Sequence, residues 1–257
     1  MKKRIIAVLI MLVSLVLSIQ AEVSGEEVIW NVYERETPDD LKGNLTMTLE
    51  NSRGDQRVRK ITQYTKNTKN DEKEIMFFNS PADVKDTSFM NWSFTQEGKE
   101  DSQWIYLPAL KKVKRISSSG RSDYFMGSDF TYDDLGDRHP TEDTHLILRS
   151  EDLKGEKCFV VESIPREEDY MYSRTITWVS EDKWIGLKKE FYDEDGELLK
   201  ILEIQDIHEF EGFWIIRSSR MQNIQKNHKT NMELSNIEIN TGLQDRVFTE
   251  RIMMRGL

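Results

Sequence analysis

The densest group of side chains that could act as acids, bases or metal ligands lies in residues 133–145. Its members are Asp133, Asp134, Asp137, His139, Asp143 and His145. Zinc hydrolases place two histidines four residues apart on one helix, whereas Pro140 interrupts any helix between these two. The carboxylates also depart from the spacing of a calcium-binding EF-hand loop. We interpret the segment as a solvated acidic loop, and the sequence predicts no metal site, no cofactor and no catalytic residue.

Nucleophilic side chains favour an enzyme no more strongly. Ser117, Ser118 and Ser119 lack the G-x-S-x-G surroundings that expose a serine nucleophile in hydrolases. The single cysteine, Cys158, lies in the apolar run CFVV, which predicts a buried small side chain. One cysteine excludes an internal disulfide, so the fold is expected to depend on an ordinary hydrophobic core.

Residues 1–21 have the composition of an export signal. Three basic residues, KKR, precede an apolar run from Ile5 to Leu17, and Ala21 offers a small residue for a signal peptidase. Cleavage near Ala21 would leave residues 22–257, whose charge is three units more negative than the formal −10 of the whole chain. The sequence therefore predicts an acidic periplasmic protein that does not bind nucleic acid.

The sequence after residue 38 largely alternates between apolar and polar residues, which is typical of β-strands. Clear examples are the runs LTMTLE at 45–50, MNWSF at 90–94 and YSRTITW at 172–178. The turn signals SRGD, LKGE and DEDG punctuate the pattern. We count eleven to thirteen strands and no linker, which predicts one domain over residues 22–257, built from one antiparallel sheet curled upon itself.

Two local features accompany the strands. Ser24 and Glu27 have the spacing of a capping box, and apolar residues then recur at helical intervals until Pro38, which predicts a short helix before the sheet. Near Ser235 the alternation slips by one residue, which predicts a β-bulge.

Several strands carry large apolar side chains on both faces, and this surplus has two interpretations. A helix could cover one face while ordinary aromatic residues cover the other, or the curled sheet could enclose a cavity suited to an acyl chain. Because residues alternate along a strand, only some of the candidate wall residues can point into such a cavity. These candidates are Phe89, Met90, Trp92, Phe94, Trp104 and Tyr106.

The longest irregular segment, residues 117–143, is predicted to be an ordered flap, because its many aromatic residues would be wasted in solvent. We expect four of its residues to form a gate over the cavity mouth: Phe125, Met126, Gly127 and Phe130. Just before the flap lies a basic group with two interpretations, a strand edge protected by lysines or a docking patch for an acidic partner or a lipid phosphate. It consists of Lys111, Lys112, Lys114 and Arg115.

Two stretches of the chain resemble the signature segments of the outer-membrane lipoprotein-sorting proteins, a family of LolA-like periplasmic proteins. These stretches are FFNSPADVKDTSFMNW and DSQWIYLPALKKVKRISSSGRSDYFMGSDFTYDDL. The similarity is dense over residues 75–135 and continues in GNLTMTLE and VFTERIMMR near the two ends. It departs from the family pattern at Asp86, where relatives typically carry glycine.

The resemblance implies a mainly β fold with a few helices. A single strongly curved antiparallel sheet would form an incomplete β-barrel with a helical lid, around an apolar cavity for lipid. It also implies an association with inner-membrane exporters of the resistance-nodulation-division type.

We favour a periplasmic carrier or receptor that binds the acyl chains of a lipid or lipoprotein, for transfer between membranes or to and from an exporter. The alternative is a non-catalytic regulatory or scaffold module that binds a membrane-protein partner. A lipid-modifying enzyme that uses the acidic loop is the least favoured hypothesis.

Overall fold

The computed structural model describes residues 23–257, so the predicted export signal at 1–21 lies outside the described residues. One helix precedes the strands and another follows them. The elements are α1 (Gly25–Tyr33), β1 (Asp40–Glu50), β2 (Gln56–Asn67), β3 (Asp71–Ser80), β4 (Ser88–Phe94), β5 (Ser102–Leu107), β6 (Lys112–Arg115), β7 (Asp143–Leu153), β8 (Glu156–Pro165), β9 (Arg174–Ser180), β10 (Gly186–Tyr192), β11 (Leu198–Phe210), β12 (Phe213–Asn223), β13 (His228–Ile239) and α2 (Glu250–Arg255).

Within this range the strands form one antiparallel sheet of thirteen strands, in the order β6-β5-β4-β3-β2-β1-β13-β12-β11-β10-β9-β8-β7. Strands β1 to β6 run from the centre of the sheet to one edge, and β7 to β13 run from the other edge back to the centre. Because β6 and β7 remain unpaired with each other, the sheet is not closed, which confirms the predicted incomplete barrel. The flap, residues 117–143, connects these two edge strands.

Helix α1 forms at the predicted position. The Ser24 side chain accepts a hydrogen bond from the Glu27 backbone N–H at 3.1 Å, which satisfies one of the free donors of the first turn. Two acidic residues in the first turn also complement the helix dipole. The buried side chain of Val28 packs against Val161 and Val179 of β8 and β9, so the helix covers the part of the sheet near β7.

The predicted bulge is present where β13 pairs with β1. Lys42 lies opposite Glu238, whereas Asn44, two residues later, lies opposite Ser235, so β13 carries one extra residue there. Gly43 lies between the two pairs, and a Cβ atom at this position would come within 2.7 Å of a leucine side chain on β13. The glycine therefore permits the close approach of the two strands.

Both faces of strands β3 to β5 are covered by other parts of the chain. We call the face that carries Phe78 and Phe89 the inner face; there Phe125 of the flap completes a buried cluster with residues of β1 to β4. The opposite, outer face carries Ile75 and Met90, which pack beneath Phe248 and its neighbours in the C-terminal segment 243–253. Burying one such side chain contributes about 2–3 kcal/mol.

Helix α2 is held on the outer face by its own capping and by a bond to the sheet. The Thr249 side chain caps the helix by accepting a hydrogen bond from the Ile252 backbone N–H at 3.4 Å. The Ser88 hydroxyl of β4 donates a hydrogen bond of 2.9 Å to the carbonyl of Met253. In residues 23–257, neither helix has the length and apolar character that crossing a bilayer requires.

Candidate functional site

A cavity of about 480 Å³ lies between α1, the flap and the inner face of strands β8 to β12. Its volume falls within the roughly 300–1,000 Å³ that is usual for small-molecule sites. One side of the cavity is apolar, and its lining includes Ile29, Val32, Phe130, Phe191, Leu202 and Met221. Glu72 of β3 also lines it, so the curved sheet brings strands from both of its halves to one hollow.

The polar end of the cavity contains carboxyl groups whose pKa values are raised. Burial, and then the neighbouring Asp101, raises the pKa of Glu72 above its ordinary value. Desolvation of the carboxyl group, followed by the charges of Glu72 and Asp101, raises the pKa of Asp137 to about 7, although the residue as a whole is exposed. Tyr33 of α1 lies beside them, and burial followed by the charge of Asp137 raises its pKa to about 12. The negative charge at this end is therefore smaller at neutral pH than its residue types indicate.

Behind Glu72, a row of polar side chains crosses the inner face of strands β2 to β5. Gln63 donates a hydrogen bond of 2.6 Å to Glu74 Oε1, and Glu74 lies opposite Asn91, which in turn lies opposite Gln103. Burial, and then the charge of Glu72, raises the pKa of Glu74 to about 8. Asn91 Oδ1 and Gln103 Oε1 are buried without a hydrogen-bond donor in the described residues. A buried acceptor without a hydrogen-bond donor destabilises the folded protein. A protonated Glu74 can donate a hydrogen bond to the Oδ1 of Asn91, which lies opposite it.

Most carboxylates around the cavity have a specific donor. Arg138 donates hydrogen bonds to Asp143 from Nε at 2.9 Å and Nη2 at 2.6 Å, and its guanidinium lies 3.8 Å from the centre of the Tyr170 ring. The fully buried Lys200 forms an ion pair with Asp134. Buried pairs of this kind are costly to break because the remaining charge loses its compensation.

The flap is fixed to both halves of the sheet. On one side, the ring centre of Phe125 lies 5.0 Å from that of Phe89, and Arg59 of β2 donates a hydrogen bond to the carbonyl of Met126. On the other side, the Asp129 carboxylate accepts hydrogen bonds of 2.7 Å from His228 Nδ1 and from Thr230 Oγ1 of β13. The flap therefore forms an ordered wall of the cavity, which confirms its predicted order.

Comparison with known proteins identifies the family. A domain from Vibrio parahaemolyticus that is named as an outer membrane lipoprotein-sorting protein is 32% identical to this chain; the match covers 90% of this chain and 98% of the domain, with a TM-score of 0.84. The chain belongs to the outer membrane lipoprotein-sorting protein family. The sequence model of a family of uncharacterized proteins also matches residues 70–255. No curated protein matches the chain in sequence.

Two further structures show how this sorting-protein fold extends to more distant relatives. A DUF1329 family protein from Desulfovibrio piger is 27% identical, with a TM-score of 0.83 over 89% of this chain and 97% of that one. A LolA superfamily protein from Nitrosomonas europaea is 18% identical, with a TM-score of 0.68 over 90% and 99%. The second comparison concerns the fold alone, and it confirms that the fold is LolA-like.

In this sorting-family chain, the predicted wall residues are divided between the two faces of the sheet. Phe89 lies on the inner face beneath Phe125. Phe94 lines a smaller hollow of about 120 Å³, where the Lys99 ammonium lies 3.4 Å from its ring centre. The other four pack on the outer face under segment 243–253: Met90, Trp92, Trp104 and Tyr106. None of the six is among the residues that line the 480 Å³ cavity, and alternation along β4 and β5 accounts for their division between the two faces.

The predicted gate residues also lie in two places. Phe130 lines the cavity, whereas Phe125 and Met126 pack into the cluster between the flap and strands β1 to β4. Gly127 has φ of 72°, and Met126 has φ of 50°, so two successive residues are left-handed and the flap turns sharply there. Of the four predicted gate residues, only Phe130 is among those that line the cavity.

The basic group lies on the edge of the sheet. Lys112, Lys114 and Arg115 belong to the edge strand β6 and are exposed, and Lys111 lies in the turn before it with φ of 49°. Arg115 donates a hydrogen bond of 2.9 Å to Ser102 of β5. This position suits both interpretations of the group, a protected edge and a docking patch.

The interpretation of residues 133–145 as a solvated loop is wrong for Asp134, His139 and Asp143 and holds for Asp137, which is exposed. Asp143 and His139 are buried, and the side chain of Asp134 is 4% exposed. The Asp134 carboxylate can be buried because Lys200 of β11 pairs with it, and the Asp143 carboxylate can be buried because Arg138 of the flap donates hydrogen bonds to it. Within residues 23–257, no three His, Cys, Asp or Glu side chains are grouped so that they could hold a metal ion.

The sequence analysis missed the cavity residues of strands β9 to β12. Lys189 and Phe191 share the inner face of β10, and Leu202 and Met221 face the cavity from the next two strands. One signal was available: in the run GLKKEFY, alternation places Lys189 on the same face as the apolar Phe191. A charged residue on an apolar strand face is unusual, so Lys189 marks this face of β10 as a candidate site.

Proposed function

We propose that this member of the lipoprotein-sorting family is a periplasmic carrier or receptor that binds the acyl chain of a lipid or a lipidated protein. The observation that carries the proposal is the cavity of about 480 Å³ with an apolar side formed by α1, the flap and strands β10 to β12. Adaptable apolar side chains such as Met221 and Leu202 suit a flexible hydrocarbon chain.

Contact in such a cavity is sufficient for cargo binding without catalysis. Burial of an acyl chain contributes about 0.8 kcal/mol per methylene, so sixteen carbons contribute on the order of 10 kcal/mol before the costs of ordering. The family relative from Vibrio parahaemolyticus is named for lipoprotein sorting, which supports a lipidated protein as one cargo. The proposal includes export to the periplasm with cleavage near Ala21, and transfer between membranes or to and from an inner-membrane exporter.

The first test is native mass spectrometry of the protein after gentle purification. We expect a bound species with the mass of a lipid. A stable complex with a membrane protein, together with a lipid-free cavity, would instead favour the scaffold alternative and contradict the carrier function.

The second test fills the cavity from two opposite walls. Val32→Trp on α1 and Leu202→Trp on β11 should each reduce binding of an uncharged fluorescent alkyl chain, because both positions line the cavity. Ile216→Trp is the matched control, since Ile216 is an exposed residue on the neighbouring strand β12. Circular dichroism and thermal unfolding report whether each variant is folded. Unchanged binding in both folded cavity variants would overturn the proposed site.

A further inference from the structure

Lys189 is a cation in the cavity that no protein group neutralises directly. In the described residues, no carboxylate lies within 4.0 Å of its ammonium group and no acceptor lies at hydrogen-bonding distance. The ammonium group lies 5.2 Å from the centre of the Phe191 ring. Its chain neighbour Lys188 differs, because Lys188 forms an ion pair of 2.6 Å with Glu190 on the outer face.

The carboxylates closest to Lys189 are already bound to other donors. Asp143, Asp134 and Asp133 attract the ammonium group at longer range, while Arg138 repels it. Arg138 holds Asp143, a second lysine holds Asp134, and Tyr170 donates a hydrogen bond to Asp133. Burial outweighs the attraction of these carboxylates and lowers the pKa of Lys189. An ammonium group that is buried without an ion-pair partner lowers the free energy of unfolding.

Lys189 lies at one end of a row of residues whose other members are apolar and line the cavity. Lys189 lies directly opposite Leu202 on β11, and Leu202 lies directly opposite Met221 on β12. All three side chains line the cavity. Adjacent strands are about 4.8 Å apart, so this row places a cation at one end of an apolar path of roughly 10 Å.

We propose that Lys189 binds the anionic group of the cargo, a carboxylate or phosphate attached to an acyl chain that lies along Leu202 and Met221. This inference rests on the proposed function, because it assigns the polar end of the same ligand. An anion at Lys189 would form a charge-assisted hydrogen bond and would remove the cost of the uncompensated ammonium group. The cargo class is therefore a singly or doubly charged anionic lipid.

The test compares ligands that share a chain and differ in charge. Hexadecanoate, hexadecyl phosphate and hexadecanol compete with an uncharged fluorescent alkyl reporter for the wild-type protein, for Lys189→Met and for the control Lys188→Met. We expect the wild type and the control to bind the two anions about tenfold to a hundredfold more tightly than the alcohol. Lys189→Met should lose this preference and keep its affinity for the alcohol, and Lys189→Arg should restore the preference.

The outcomes separate the two proposals. If the wild type binds neither the reporter nor any of the three ligands, the acyl-chain function fails. If the wild type binds them all with equal affinity, or if Lys189→Met keeps the preference for anions, the function stands and the role of Lys189 is overturned. The ratio of affinities for hexadecyl phosphate and hexadecanoate identifies which anion fits the site better.

Two further measurements exclude simpler explanations. Inorganic phosphate alone, at the concentrations used for hexadecyl phosphate, should not displace the reporter, and displacement would overturn the assignment to a lipid. Thermal unfolding of Lys189→Met should occur at the same temperature as in the wild type or higher, because the variant removes an uncompensated buried charge and keeps an apolar stem. A large decrease would show that the ammonium group serves the fold, and would also overturn the proposal.

Discussion

The stability of this protein should decrease as the pH rises from 5 to 8, and Glu74 allows this to be tested with one substitution. Glu74 lies on the inner face of β3 and is buried. Gln63 donates a hydrogen bond to its Oε1 at 2.6 Å, and Asn91, directly opposite on β4, has an unpaired Oδ1. Glu74→Gln preserves the shape of this side chain and makes it permanently neutral. The new amide can accept from Gln63 and donate to Asn91.

The sign and size of the effect follow from proton linkage. Burial and the charge of Glu72 raise the pKa of Glu74 from 4.5 in the unfolded chain to about 8 in the folded protein. Between these values the unfolded chain releases its proton while the folded protein keeps it, so stability decreases with rising pH. Each pH unit in this window costs up to about 1.4 kcal/mol, and the loss between pH 5 and pH 7 is at most about 3 kcal/mol.

The assay is urea unfolding of wild type and Glu74→Gln at pH 5, 6, 7 and 8. The free energy of unfolding of the variant minus that of the wild type should increase steadily with pH, because all other titrating groups cancel in this difference. Glu209→Gln, a substitution of an exposed carboxylate on β11, is the control and should give a nearly constant difference. A constant difference for Glu74→Gln would contradict the raised pKa of Glu74, and so would a wild type that gains relative stability as the pH rises.

Three further predictions concern side chains that are buried in the fold. Lys200→Met should reduce the free energy of unfolding by about 3–5 kcal/mol, because it leaves Asp134 buried without its cation. Adding Asp134→Asn should recover part of this loss in urea unfolding, and additive losses of the two substitutions would contradict the pairing. Phe125→Ala should cost about 3–5 kcal/mol, since the ring is fully buried between the flap and the sheet, and a loss below about 1 kcal/mol would show that the flap does not contribute to this core. Cys158, whose pKa burial raises to about 11, should react with a thiol reagent at pH 8 only after unfolding, and rapid labelling of the native protein would contradict its burial.

The sequence predicts the strands well because alternation and turn residues are local signals. The run LTMTLE at 45–50 forms β1 with buried residues at alternate positions, as expected. The cap at Ser24 and the bulge near Ser235 are also local, and both are present. The order of the strands around the sheet follows from successive antiparallel hairpins, which leaves β1 and β13 to pair at the centre.

Local signals do not show which face of a strand points into the cavity. In β3, Met76 and Phe78 pack on the inner face while Ile75 and Phe77 pack on the outer face, so both faces have the same apolar character. The outer face becomes a core only because segment 243–253 returns to it from the far end of the chain. Alternation divides the predicted wall residues between the two faces, and this long-range contact explains why the outer face is as apolar as the inner one.

Charge compensation over a long distance explains the error in residues 133–145. Acidic composition predicts solvation when no partner is nearby in sequence, yet Asp134 is paired with Lys200, which is 66 residues away. The cation is itself an anomaly in its strand, where it is fully buried. The lysines on the apolar faces of β10 and β11, taken together with the acidic segment, are the one sequence signal that indicates a buried polar region.

The flap packs differently against the two halves of the sheet, and this difference determines where a ligand can bind. Against strands β1 to β4, Phe125 fills the inner face with the chain's own aromatic side chain. Against β10 to β12, the flap contributes Phe130 to a cavity wall and is held there by Asp129 and Asp134, whose partners lie on β11 and β13. Displacing the flap would break the buried ion pair between Lys200 and Asp134 and remove Phe125 from its cluster, which would cost several kcal/mol. A ligand in the half that contains the cavity does not need this displacement, so the proposed acyl chain would enter while the flap remains in place.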